Sequence, residues 1–217
     1  MALTTWNPAD KNAAIALSGG NLTATSSAGS GSANAAIRAT QPISSTVKTY
    51  FEVTVTGTVG QYLSIGVMND SASLSNNVGA VNGAAIVNNL SGGTKTYING
   101  TQAGVAFSIF ASGQVVRVSV DRAANKIWWA VNNNIWSGSS VWFGDGTTNA
   151  DPATGVGGAS ISVVTGTLIP AISSAWTGDV AVINGGTSAF AYAAPAGFVA
   201  LDGPPVGSGQ ARVMVMA

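Results

Sequence analysis

The chain contains no cysteine and no histidine, and charged side chains make up only 7% of its 217 residues. Each shortage removes a class of chemistry. Without His or Cys there is no Ser-His-Asp triad, no cysteine nucleophile, no zinc finger and no disulfide framework. Lys and Arg total 8 and Asp and Glu total 8, so the net charge is zero. Such a chain has no basic field to attract nucleic acid or an anionic membrane. Glutamate is nearly absent: Glu52 is the only one, and the remaining acids are seven scattered aspartates. Glycoside hydrolysis normally needs two carboxylates about 5–10 Å apart. Glu52 alternates with Phe51 and Val53 on its strand and is expected to be an exposed or edge carboxylate. No run approaches the ~20 apolar residues of a membrane span. The opening Met1-Ala2-Leu3-Thr4-Thr5-Trp6 lacks the basic and apolar regions of a signal peptide. These absences favour a binding or structural protein over an enzyme, with no cofactor, no nucleic-acid partner and no membrane insertion expected.

What remains is light and β-prone. Val, Ile and Thr total 57 residues, against 26 for Leu, Glu, Lys, Gln, Arg and Met combined. β-Branched side chains lose less rotamer freedom on a pleated strand than in a helix. Residues 48–56 alternate, with Phe51, Val53 and Val55 on one side and Tyr50, Glu52, Thr54 and Thr56 on the other. Residues 61–68, 84–87 and 94–98 follow, the last ending in the turn pair Asn99-Gly100. Residues 114–121 and 126–132 read as a hairpin turning at Asp121. Arg117 and Arg122 are expected on it as solvated charges. Trp128 and Trp129 are adjacent, so one is expected in the core and the other on the outer face or under a loop. Residues 168–173 and 179–184 form two further strands, and 189–201 a last irregular one broken by Pro195. Shorter candidates lie at 13–17, 21–26 and 35–39. Twelve or more short strands without an amphipathic helix predict an all-β sandwich.

The segment 137–160 is a long Gly-rich loop, of the kind that is usually functional or mobile. Trp136, Trp142 and Phe143 lie at or inside its start, after the turn residue Asn133. Aromatic faces in such a loop stack on sugar rings or anchor a protein interface, or else cover the sandwich edge. Asp145, Asn149 and Asp151 offer oxygens at i, i+4 and i+6. Calcium accepts such ligands, but ordinary turn work by Asp and Asn is the preferred account. After residue 202 the composition changes. Gly203-Pro204-Pro205 opens a linker, and residues 211–217 form an apolar heptad. Its Val213, Met214, Val215 and Met216 either fold back as a terminal strand or add a strand to a neighbouring subunit.

Several of these segments carry a resemblance. The run Lys48-Thr-Tyr-Phe-Glu-Val-Thr-Val, the Ser64-Ile65-Gly66-Val67 strand and the Tyr97-Ile98-Asn99-Gly100 turn resemble successive elements of the SPRY domain. So do the 115–129 hairpin, Leu168-Ile-Pro-Ala-Ile-Ser and the closing segment 190–201. The resemblance spans about residues 50–201 and implies a concanavalin-like antiparallel β-sandwich with a binding role. It divides the chain into 1–202, a sandwich with N-terminal strands in 1–47 and a core in 48–202, and 203–217, a linker and C-terminal arm. Trp6-Asn7-Pro8 and Asn21-Leu22-Thr23-Ala24-Thr25 resemble an N-terminal extension common in SPRY-like proteins of bacteria and tailed phages. That likeness implies a non-enzymatic virion protein, homo-oligomeric, at the tail or fibre. Its expected partners are other virion proteins or a host-surface polysaccharide. A capsid decoration protein and an intracellular protein-binding SPRY module are the alternatives.

Overall fold

The computed structural model describes residues 3–29, 34–88, 90, 93–104, 109–136 and 138–203. The arm residues Val213, Met214, Val215 and Met216 lie outside the described residues. Among the described residues there are fifteen strands and no helix. They are β1 (Trp6–Lys11), β2 (Ile15–Ser18), β3 (Thr23–Ser26), β4 (Ala35–Ala39), β5 (Thr49–Gly57), β6 (Ser64–Asn69), β7 (Gly83–Val87) and β8 (Lys95–Ile98). The remainder are β9 (Thr101–Gln102), β10 (Val115–Asp121), β11 (Lys126–Val131), β12 (Ala159–Ser160), β13 (Leu168–Ser174), β14 (Asp179–Asn184) and β15 (Val199–Ala200). Two sheets pack face to face. Sheet A runs β1-β4-β13-β6-β7-β8-β9, and sheet B runs β12-β11-β10-β5-β14-β3-β2. All these pairings are antiparallel, and β15 joins sheet B in parallel beside β5.

The expected alternation explains the core. Phe51, Val53 and Val55 of β5 meet Ile65 and Val67 of β6 between the sheets, together with Val116, Val118 and Val120 of β10. Two tryptophans tie the layers together. Trp6 on sheet A donates its indole N–H to the Ala181 carbonyl of sheet B at 3.1 Å. Trp129 on sheet B donates to the Ile65 carbonyl of sheet A at 3.2 Å. A buried indole with its one donor satisfied adds apolar area without an orphaned polar group.

Four departures from the sequence expectations have physical causes. Strand β1 holds Pro8 but sits at a sheet edge with an irregular register, where a missing N–H is tolerated. The strand predicted from residue 61 begins only at Ser64, because Tyr62 has a positive φ of 71°. The segment predicted as a strand over 189–201 keeps two strand residues, Val199–Ala200. Before them the chain crosses the outer face of sheet B, where its backbone finds a side-chain partner instead of a strand. The long loop is pinned by isolated bridges, Trp129 to Phe143, Trp142 to Ala150 and Asp151 to Val156.

Buried polar residues fasten the loops to the sheets. Arg38 is 2% exposed; it donates Nε to the Asn69 carbonyl at 2.9 Å, Nη1 to Asp10 at 2.7 Å and Nη2 to the Ala72 carbonyl. This pins the segment after β6 against β4. Asp179 opens β14 and accepts the Gly60 amide at 2.7 Å and the Ser174 hydroxyl at 2.6 Å. Burial pushes its carboxyl above the usual range, against the opposing effect of those two hydrogen bonds. The folded chain therefore holds this proton more tightly than the unfolded chain does. The stability this confers is fully present below the unfolded pKa and is lost as pH rises through the folded one. Asp179→Asn is uncharged at every pH. Relative to the parent it is expected to gain stability as pH rises from about 4 through the raised folded pKa and to hold that gain above it, measured by denaturant unfolding. A pH-independent difference would remove Asp179 as the source.

Candidate binding site

Strands β5, β10 and β11 place Tyr50, Glu52, Arg117, Trp128 and Ala130 on the outer face of sheet B. This face is closed. Glu52 is 2% exposed, which corrects the expected exposed or edge carboxylate. Its Oε1 accepts the Tyr50 hydroxyl at 2.7 Å and the Tyr192 amide at 2.9 Å, and its Oε2 accepts the Ala191 amide at 2.8 Å. The segment leading to β15 thus satisfies its backbone on this carboxylate. Arg117 is directly across from Glu52 in register and is buried rather than solvated. Its Nη1 donates to the Asn132 carbonyl at 2.9 Å and to Asn133 Oδ1 at 3.0 Å. Its guanidinium lies 4.5 Å from the Trp142 ring centre and 4.9 Å from that of Tyr192. Burial, then the Glu52 charge and hydrogen bond, push the Tyr50 phenol far above its ordinary range; Arg117 opposes this and loses. Arg122 is half-buried and held by Asn125 and the Val164 carbonyl.

The structure therefore brings Trp142 and Asn133 to one guanidinium. Trp136 and Phe143 meet each other instead, edge-on with ring centres 5.7 Å apart. Phe143 belongs to the core between the sheets and stacks near Trp129. With Trp142 7% and Phe143 4% exposed, neither offers a free ring face to a sugar. Asn133 is exposed and Trp136 half-buried. Trp129 is the core tryptophan and Trp128 lies on the outer face, under Gly158 and the Phe198 ring.

Asp145 and Asp151 each serve a local turn, and Asn149 ties the loop back to Ser139. Asp145 Oδ1 accepts the Thr147 amide, Asn149 Oδ1 accepts the Ser139 amide, and Asp151 Oδ1 accepts the Ala153 amide. Among the described residues no cluster of three or more carboxylates is present.

The outer face of sheet A is covered differently. The segment between β6 and β7 lays Ala72 and Val78 over Ala36, Met68, Ala85 and Ala171. Small residues beneath let the covering backbone approach. Val78 donates its amide to Ser173 Oγ at 3.0 Å, and the Ser173 hydroxyl donates to Asn77 Oδ1 at 3.2 Å. The cover does not fill the space beside it. A cavity of about 240 Å³ remains, lined by Tyr62, Asn77, Gly79, Ala80, Val87, Tyr97 and Gly100. Among the described residues no charged side chain lines it. Its walls need their small residues: a Cβ on Gly79 would lie 2.8 Å from Tyr97 Cβ. Tyr62 stands at one wall in a left-handed backbone that costs an aromatic residue about 1–2 kcal/mol. Its amide donates to the Asn88 carbonyl at 2.7 Å, and its carbonyl accepts the Ser64 hydroxyl at 3.0 Å. Strain retained beside a cavity is a signature of a functional site. The sequence marked Tyr97 and Gly100 only as a turn region. It gave no sign that Tyr62 would join them, because the strand expected over 61–68 makes Tyr62 extended.

The family model of the SPRY domain matches residues 48–187. The chain belongs to the SPRY-domain family. Solved SPRY structures agree in fold. The SPRY domain of human HERC1 is similar with a TM-score of 0.59 and 14% identity, over 82% of this chain and 96% of that chain. The TRIM65 PSpry domain gives a TM-score of 0.53 and 11% identity, over 84% and 92%. A stretch of stonustoxin, 27% of that chain, gives 0.50 and 14% identity over 84% of this one. No curated protein matches the sequence significantly. SPRY domains are protein-binding modules and are generally non-catalytic. In this SPRY domain the single glutamate is already committed to Tyr50 and two backbone amides.

The Arg117 stack gives a direct test of the closed face. Arg117→Lys keeps the charge but loses the planar stack on both rings, and is expected to destabilise the domain by about 2 kcal/mol. Arg117→Ala, which leaves Glu52 facing an emptied site, is expected to cost about 3 kcal/mol. Denaturant unfolding measures both. Losses under about 0.5 kcal/mol for each would mean the stack is incidental.

Proposed function

We propose that this SPRY domain is a non-catalytic recognition module that holds an uncharged partner group in the Tyr62–Tyr97 cavity. The observation that carries this is the contrast between the two outer faces. One buries its charges beneath a sealed aromatic cover, and the other keeps an uncharged, aromatic-walled hollow. Apolar pockets with a few polar groups are the usual form of a binding site.

Two settings suit such a module. The first is the virion of a tailed phage, at the tail or fibre or as a capsid decoration. There the partner is a host-surface polysaccharide or a neighbouring virion subunit, in a homo-oligomer. The likeness of the Trp6 and Asn21 segments to phage-type extensions supports it, as does a surface with little charge to repel neighbouring copies. The second is an intracellular protein-binding role, supported by membership of the SPRY family. Both use the same cavity.

A neutral glycan array and an uncharged peptide library, screened in parallel against the whole chain, test the module. Hits are expected to bind with an affinity that changes less than about twofold between roughly 0.05 and 0.5 M NaCl. Binding confined to charged ligands and lost at high salt would contradict the proposal.

A further inference from the structure

The polar groups that line the Tyr62–Tyr97 cavity are unevenly used. Several of its acceptors are engaged. Asn77 Oδ1 accepts from the Ser173 hydroxyl at 3.2 Å. The Asn77 carbonyl accepts the Ala80 amide at 2.9 Å, and the Gly79 carbonyl accepts the Gly100 amide at 2.8 Å. The Tyr62 carbonyl accepts the Ser64 hydroxyl. The donors are free. The Asn77 side-chain NH₂ and the Tyr62 and Tyr97 hydroxyls make no hydrogen bond to any described residue. The orientation of Asn77 follows from its partner. Asn77 Oδ1 is turned to the Ser173 hydroxyl, which leaves the NH₂ group on the other side.

We propose that the cavity takes a proline residue from an extended segment of a partner protein. This rests on the domain being a recognition module and specifies what that module recognises. A ligand that covers these donors must supply acceptors, since an unpaired buried donor costs about 1–3 kcal/mol. The uncharged, largely apolar lining selects an uncharged ring. At ~30 Å³ per water, the cavity holds roughly eight waters, which is space for one ring and its flanking peptide groups. A pyranose is a poor match because most of its hydroxyls would leave water for a largely apolar lining. Proline matches on every count. It has no N–H, it leaves the carbonyls around it outward and unpaired, and its ring packs against aromatic faces. Its polyproline II conformation is already extended, so little freedom is lost on docking.

The test is a titration of the isotope-labelled 217-residue chain, followed through its backbone amide resonances. The probes are a capped polyproline peptide, a capped Gly-Ser peptide and a neutral oligosaccharide. Polyproline is expected to shift the amides of Gly79, Ala80 and Gly100, and the Gly-Ser peptide to leave them in place. Ala80→Leu fills the cavity from a half-exposed position and is expected to weaken polyproline binding at least about tenfold. Tyr97→Phe keeps the ring and removes one donor, with an expected loss of about fivefold. If Gly-Ser binds equally well, proline selection is wrong. If the oligosaccharide alone shifts these amides, the proline proposal fails and the recognition module stands. If no probe moves them, both fail.

Discussion

The structure depends on covering four sheet faces with a chain that has almost no charge to spend. A two-sheet sandwich buries its inner faces against each other. Here the outer faces of the central strands are buried too. Strand β5 shows the consequence: Phe51, Val53 and Val55 point into the core, while Tyr50 and Glu52 on the other side are also inaccessible. Each polar group on a covered face must find its partner inside the protein. The few charged residues are placed where they answer that need, with Glu52 receiving two loop amides, Arg38 holding two loop carbonyls and Asp179 holding a loop amide.

The two covers solve the problem in opposite ways, and this produces the functional asymmetry. On sheet B, aromatic rings close around a buried cation, with Trp142 and Tyr192 on Arg117 and Phe190 edge-on to Tyr50 at 4.8 Å. On sheet A, the cover is made of Ala, Val and Gly hung on serine and asparagine hydrogen bonds. Small residues allow close approach of the backbone but leave volume unfilled next to two tyrosines. The cavity follows from how a segment of small residues is laid on the sheet, beside the left-handed Tyr62.

The sandwich was largely legible in the sequence, because a period of two in Val, Ile and aromatic residues is a direct record of which face is buried. Residues 48–56, 114–121 and 126–132 carried that record and formed β5, β10 and β11. The covers were not legible. Alternation marks Tyr50, Glu52 and Arg117 as facing away from the core, but it cannot say that another segment lies over them. The same limit applies to the loop aromatics. Trp142 and Phe143 look available in a Gly-rich loop, yet their large apolar area makes them the natural packing material for a sealed face. Tyr62, Asn77 and Gly79 are joined only by long-range folding of the segment after β6 against β7 and β8, and no local pattern announces it.

The central claim is that the cover over sheet B is sealed and the cover over sheet A leaves a cavity beside it. Hydroxyl-radical labelling of the aromatic side chains in the native protein, resolved by peptide mass spectrometry, tests it without any ligand. Tyr62 and Tyr97 are expected to be modified several-fold faster than Tyr50, whose ring is 0% exposed, with Trp128 and Trp142 remaining slow. Labelling of Tyr50 and Trp142 at the rate of Tyr62 and Tyr97 would contradict the account.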